Sequence, residues 1–189
     1  VGLLCLEVVR GKVRMRVALY GGSFNPPHQG HGNIVRFLAE RFDQVWVIPC
    51  IEHAFGKDLA PIQHRVSMLH WVCLDIPGDV RIIPRPEHRT FDLVGNLKSE
   101  HPDVEFTVVG GTDLLHESSK WYRWDDLQKL AEFIYIGREG YPVEGYTPPV
   151  TFPHVSSTDI RAALARGEYP VGLPLGVFQV IREQQLYQP

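Results

Sequence analysis

Short, β-branched apolar segments recur along this chain with a helix-length segment between them, and no other feature restricts its fold as much. Val17–Tyr20, Val45–Ile48, Val80–Ile83, Phe106–Val109, Phe133–Ile136 and Val150–Phe152 read as strands, most of them closed by glycine or proline. Between them, Ile34, Phe37, Leu38 and Phe42 fall at helical spacing. Val66, Leu69 and Val72–Cys73 mark one side of a helix over Ile62–Leu74, and Phe91–Leu97 and Leu127–Ala131 read as helices too. Strands linked through helices pair in parallel by right-handed crossovers, so the expected fold is α/β, a doubly wound parallel sheet. After Phe152 the pattern changes. Ser156 and Asp159 have capping-box spacing ahead of Ile160, Ala163 and Leu164, Gly167 is placed to end that helix, and Val177–Leu186 is a second helical stretch. These C-terminal helices are expected at the sheet edge, the first presenting its N-terminus to a ligand.

A chain of 189 residues is most simply one domain with a full core. Met15 directly precedes the first strand, so residues 15–189 read as that domain and residues 1–14 as an N-terminal extension. The net charge of −3 and the lack of any like-charge run argue against nucleic acid or a membrane surface as a partner held by bulk electrostatics. Cys5, Cys50 and Cys73 are odd in number and form no CxxC, which reads as a reduced, cytoplasmic protein without disulfides or structural zinc. No apolar run reaches the ~18 residues of a membrane span. Gly2–Val9 lacks the basic start and cleavage site of a signal peptide. Oligomeric state is open, a homo-oligomer included.

The chemistry concentrates in the segment GGSFNPPHQGH, which follows the first strand. Gly21 and Gly22 let the backbone approach a charged ligand, and Ser23, Phe24 and Asn25 continue the loop into Pro26 and Pro27, which restrict its path. His28 and His31 flank Gly30 at a helix start, where free N–H groups and the helix dipole favour an anion. Two imidazoles there suit charge stabilisation on a phosphoryl group. A bare HxxH would more simply be a pair of cap or surface histidines, or half a zinc site without its third ligand. The glycine- and proline-rich loop ahead of it favours the phosphate reading.

Three further groups accompany it. Ser156, Ser157, Thr158 and Arg161 place hydroxyls, free N–H groups and a cation at a second helix start, which suits a triphosphate as well as an ordinary capped helix. Gly111–Thr112–Asp113 follows a strand, where the carboxylate serves either a ribose or a helix cap. Lys57 and Arg65, in and after the loop beyond the second strand, are solvated charges or neutralise substrate phosphates. Trp121 and Trp124 stack on a ring or pack internally.

Taken in order, GGSFNPPHQGH, GTD, WYRW, VSSTDIRAALARG and the closing LPLGVFQVIREQQLY resemble the nucleotidyltransferase superfamily with an HxGH signature. Within it the likeness is to the bacterial nicotinate-nucleotide adenylyltransferases, over nearly all of Met15–Tyr187. The resemblance implies a Rossmann-like nucleotidyltransferase fold with C-terminal helices. It implies adenylyl transfer from ATP to nicotinate mononucleotide, with Mg²⁺ carried mainly by the ATP phosphates. By that likeness His28, His31 and Arg161 are catalytic. Gly21, Gly22, Ser23, Phe24, Gly30, Gly111, Asp113, Ser156, Ser157 and Thr158 bind ATP, and Asn25, Lys57, Trp121 and Arg138 bind the acceptor. Two segments depart from the family pattern. His88–Arg89–Thr90–Phe91–Asp92 stands where a tyrosine-threonine segment is usual, and IEHAFGKDL where a PPHK-like sequence is common. Both lie on the acceptor side, which leaves nicotinamide mononucleotide, another phosphorylated acceptor, or a sensor without turnover as alternatives.

Overall fold

The computed structural model describes residues 14–52, 56, 58–115 and 121–188, with the side chain of Leu114 left aside. Most of the 1–14 extension, and Lys57 with it, therefore lie outside the described residues. Six parallel strands, β1 (Met15–Gly22), β2 (Gln44–Pro49), β3 (Val80–Ile82), β4 (Val104–Gly111), β5 (Glu132–Arg138) and β6 (Thr151–Phe152), form one sheet in the order β3-β2-β1-β4-β5-β6. The helices are α1 (Gln29–Ala39), α2 (Ile62–Cys73), α3 (Thr90–Glu100), α4 (Thr112–Leu115), α5 (Trp124–Leu130), α6 (Ser157–Ala165) and α7 (Leu175–Glu183). Each strand inferred from the sequence is present, the first, second, fourth and fifth being longer at both ends and the third and sixth one residue shorter.

Successive strand residues point to opposite faces, and both faces of the central strands are apolar, as a sheet covered on two sides requires. Ala18, Tyr20, Val45, Val47, Val109 and Ile136 pack with Val35 and Leu38 of α1 and Leu69 of α2. Val17, Leu19, Trp46, Ile48, Phe106 and Val108 pack on the other face with Leu93, Val94 and Leu97 of α3 and Leu127 of α5. The chain winds outward from β1 through β2 to β3, then returns to place β4 on the other side of β1. That reversal opens a crevice beyond the strand carboxyl ends, where sheets of this kind bind ligands. Tyr20 is in register with Val109, so Gly21–Gly22 and Gly110–Gly111 leave the sheet side by side into it.

The C-terminal helices are placed differently from the expectation. They close over α2 rather than the sheet edge: Met68 of α2 is buried in a separate core with Ile160, Leu173, Val177 and Ile181. The reason is that α2 is apolar on two sides, Leu69 facing the sheet and Met68 facing outward. Ser156 caps α6 as its sequence implies, but its hydroxyl accepts from the Thr158 N–H, and the Asp159 carboxylate lies 3.8 Å from the His154 ring.

Candidate active site

Two cavities open beyond the carboxyl ends of β1 and β4 and share Gly21 and Val109 as a common wall. The larger, about 600 Å³, is lined by the loop after β1, the β4 end, Arg138 of β5 and the start of α6. That volume falls in the ~300–1,000 Å³ range of sites for small organic ligands. The smaller, about 190 Å³, lies between the ends of β1, β2 and β4, the start of α3 and Trp121.

His28 and His31 line the larger cavity with their rings stacked, centroids 3.8 Å apart. His28 is the N-cap of α1 and His31 lies one turn in, so helical geometry brings the two rings together. Gly30 makes this packing feasible, because a Cβ there would come within 3.1 Å of the His28 ring. The His28 backbone N–H donates to His31 Nδ1 at 3.1 Å, so a neutral His31 carries its proton on Nε2. The Nδ1 of His28 is buried without a partner among the described residues. Burial disfavours charge on both rings. It pushes His28 down to about 4, with Arg138 and His154 adding to the effect, and holds His31 well below the usual imidazole range, with His28 and Arg138 contributing.

The second half of the site reaches this loop across most of the chain. The Ser157 hydroxyl donates to the Pro26 carbonyl at 2.9 Å, and Arg161 Nη1 donates to the Asn25 carbonyl at 2.6 Å. The other arm of Arg161 donates to the Thr158 hydroxyl at 3.3 Å. Thus the start of α6 is fastened to the loop, and Ser156, Ser157, Thr158 and Arg161 share a cavity with the histidines. Asp113, just past β4, receives Arg138 Nη1 at 2.9 Å. Arg138 Nε in turn donates to His154 at 3.1 Å. Arg138 therefore lines the larger cavity with Asp113, and Trp121 lines the smaller one.

Asn25 also lines the larger cavity, but its side chain is committed internally. Its Oδ1 accepts from the Ala60 N–H at 3.0 Å and from the Tyr187 hydroxyl at 2.6 Å, and its Nδ2 donates to the Asp58 carbonyl at 3.4 Å. Phe24 adopts a left-handed backbone and buries its ring edge-on against Tyr20 and His31. Ser23 supplies its carbonyl rather than its hydroxyl to Arg65.

Arg65 departs from both roles considered for it. It is neither solvated nor facing a ligand: it is wholly buried, donating to the carbonyls of Ala60 (2.7 Å), Ser23 (2.8 Å) and Ile51 (3.2 Å). One side chain on α2 thereby ties the loop after β1 to the loop after β2. The signal was present in the sequence, because Arg65 falls on the buried stripe with Met68, Leu69 and Val72. Tyr20, Asp58 and Tyr187 were not singled out from the sequence, although the first two line the larger cavity. Tyr187 sits beyond α7 in a left-handed turn, and only the folded tail carries its hydroxyl to Asn25.

Comparison with known proteins bears on the family and the fold. Residues 19–163 match the family model described as Cytidylyltransferase-like. A probable nicotinate-nucleotide adenylyltransferase of Anaeromyxobacter dehalogenans (strain 2CP-1) is 40% identical over 182 residues, covering 91% of this chain and 96% of its own. The nicotinate-nucleotide adenylyltransferase of Bacillus subtilis is 29% identical over 189 residues, covering 92% and 98%. Among solved structures, Plasmodium falciparum nicotinic acid mononucleotide adenylyltransferase complexed with NaAD superposes with a TM-score of 0.79. It covers 92% of this chain and 97% of its own at 20% identity, a likeness of fold.

Proposed function

This chain belongs to the nicotinate-nucleotide adenylyltransferase family, and from that premise we propose that it transfers the adenylyl group of ATP to nicotinate mononucleotide. The products are deamido-NAD and pyrophosphate, a step of NAD biosynthesis carried out in the cytoplasm, where ATP is available. The observation that carries this reading is the pair of adjoining cavities. One is lined by two imidazoles, a capped helix start and an arginine, the other by Trp121 and the start of α3, and Gly21 and Val109 line both.

In this reading the triphosphate lies in the larger cavity against His28, His31 and the start of α6. A phosphate oxygen of the acceptor attacks the α-phosphorus of ATP in line. The new P–O bond forms as the bond to the bridging oxygen breaks, and that electron pair leaves on pyrophosphate. The phosphate oxygen is already anionic, so no general base is required, and catalysis consists of alignment and charge stabilisation. Neutral His31 donates from Nε2, and His28 offers the Nδ1 that lacks a protein partner. A triphosphate beside these rings favours their protonated forms, opposing the effect of burial. Arg161 supplies a fixed charge one turn into α6. Magnesium belongs to the substrate here, as Mg–ATP: the cavity carboxylates are Asp58 and Asp113, and the second is already paired with Arg138.

The test is pyrophosphate release from ATP with a panel of acceptor mononucleotides. The expected result is turnover with nicotinate mononucleotide that depends on His31. Tight ATP binding without turnover of any acceptor would replace this reading with a nucleotide sensor.

A further inference from the structure

The smaller cavity is lined by a charged residue, Arg89, from the segment that stands where the family pattern noted above carries a tyrosine-threonine sequence. Arg89 is the N-cap of α3 and lines this cavity together with Trp121, Thr90 and the backbone of Gly21 and Gly22. No side chain caps the first turn of α3, so its leading N–H groups are not taken by one. The Arg89 guanidinium lies 4.0 Å from the ring centroid of Tyr122, the residue after Trp121. Tyr122 meets Phe91 edge-on at 6.2 Å, and Arg123 covers Phe91 at 4.2 Å. This interleaved stack ties the start of α3 to the Trp121–Arg123 segment, with the exposed Arg89 side chain at the rim of the cavity that its residue helps to line.

The other titratable groups nearby are already engaged or differently placed. Arg85 is gripped by Glu87 and Glu100, each at 2.7 Å, which compensates its charge. Asp92 lies in the first turn of α3, and the exposed His88 lines the wall. Among the described residues Arg89 forms no ion pair with a carboxylate. A cavity of about 190 Å³ is below the ~300 Å³ of a site for a drug-sized ligand, so it accepts one substituted ring rather than a nucleotide.

We infer that Arg89 is a specificity-determining residue, reading the ring carboxylate of the acceptor while Trp121 lies beside the ring. This rests on the adenylyl-transfer reading above. A carboxylate receives a charge-assisted bond from the guanidinium and from the open start of α3, whereas a carboxamide brings a neutral oxygen and an NH₂ that faces a cation. The acid is therefore favoured over the amide at the ring, independently of how ATP is held.

The experiment compares unaltered protein, Arg89→Gln and Arg89→Lys with nicotinate and nicotinamide mononucleotides at saturating ATP. Arg89→Gln is expected to lower kcat/KM for the acid by about tenfold or more, mainly through KM. The value for the amide should be unchanged or higher, the KM for ATP unchanged, and Arg89→Lys should recover part of the preference. Equal losses with both acceptors would reduce Arg89 to a support for Tyr122 and overturn the assignment, as would an unchanged preference. If the unaltered protein turns over neither acceptor, the adenylyl-transfer reading fails instead, and calorimetric binding of the two mononucleotides decides the role of Arg89. An Arg89-dependent preference for the acid would uphold it, and binding of neither would overturn it.

Discussion

Replacing Arg65 by methionine tests whether the phosphate-side loop is held from inside the protein. Methionine keeps most of the aliphatic stem and its packing but removes the donors to three loop carbonyls. A polar group left without its partner costs ~1–3 kcal/mol when water cannot replace the bond. The half-buried Ser23 and Ala60, whose carbonyls receive the two shorter bonds, should bear most of that cost, while Ile51 is exposed and water relieves its carbonyl. The guanidinium no longer has to be desolvated, which offsets a fraction of the loss. The net expectation is about 2 kcal/mol, two partial penalties and one relieved one less that offset. At ~2–4 °C per kcal/mol for a domain of this size, Tm should fall by roughly 6 °C. Urea denaturation at pH 7.5 gives the stability change, and steady-state kinetics gives the functional one. A loosened Ser23–Asn25 segment should lower kcat/KM for ATP by about tenfold, since misplacing the phosphates disturbs alignment at the α-phosphorus. A loss below about 1 kcal/mol together with an unchanged KM for ATP would refute the proposed internal clamp.

Three other outcomes are expected. His31→Ala should keep a cooperative unfolding transition and lose ~10²-fold or more in kcat, the scale of removing one stabilising donor; near-normal turnover would remove His31 from the chemistry. Trp121→Ala should raise the acceptor KM and leave that of ATP alone, because the ring lines only the smaller cavity, and a defect confined to ATP would contradict that placement. The third concerns pH. The unfolded chain protonates His28 near the usual ~6.5, but the folded protein resists until about 4, so stability present above pH 6.5 is lost as pH falls through that window. For His28 alone the loss approaches about 3 kcal/mol. Urea midpoints measured between pH 7.5 and 4.5 should show His28→Asn with a shallower decline than the unaltered protein, and parallel curves would count against a buried neutral ring.

The order of strands and helices was legible from the sequence because burial on a strand or helix repeats with a short period, and each period is visible within a few residues. The loop GGSFNPPHQGH was legible for a related reason: a strand end, close backbone approach, a rigid turn and a helix start are all local requirements. Arg65 shows the limit of such reading. Its place on the apolar stripe of α2 was visible, but a side chain that runs through the interior to three carbonyls on two loops is specified by their packing and not by the stripe. The joining of the site's halves was even less visible. Ser157 reaches Pro26 across 131 residues and Arg161 reaches Asn25 across 136. Asp113 meets Arg138 because Gly111 lies in register with Ile136. The sequence by itself determined the elements, the parallel sheet and the residue types for phosphate chemistry. Only the tertiary structure decided that the C-terminal helices close over α2, that Asn25 faces inward to Tyr187, and that Arg138 and Trp121 serve different cavities. Those outcomes depend on strand order and on which apolar surfaces remain uncovered once the sheet has formed, and contacts of that range leave no periodic trace in the chain.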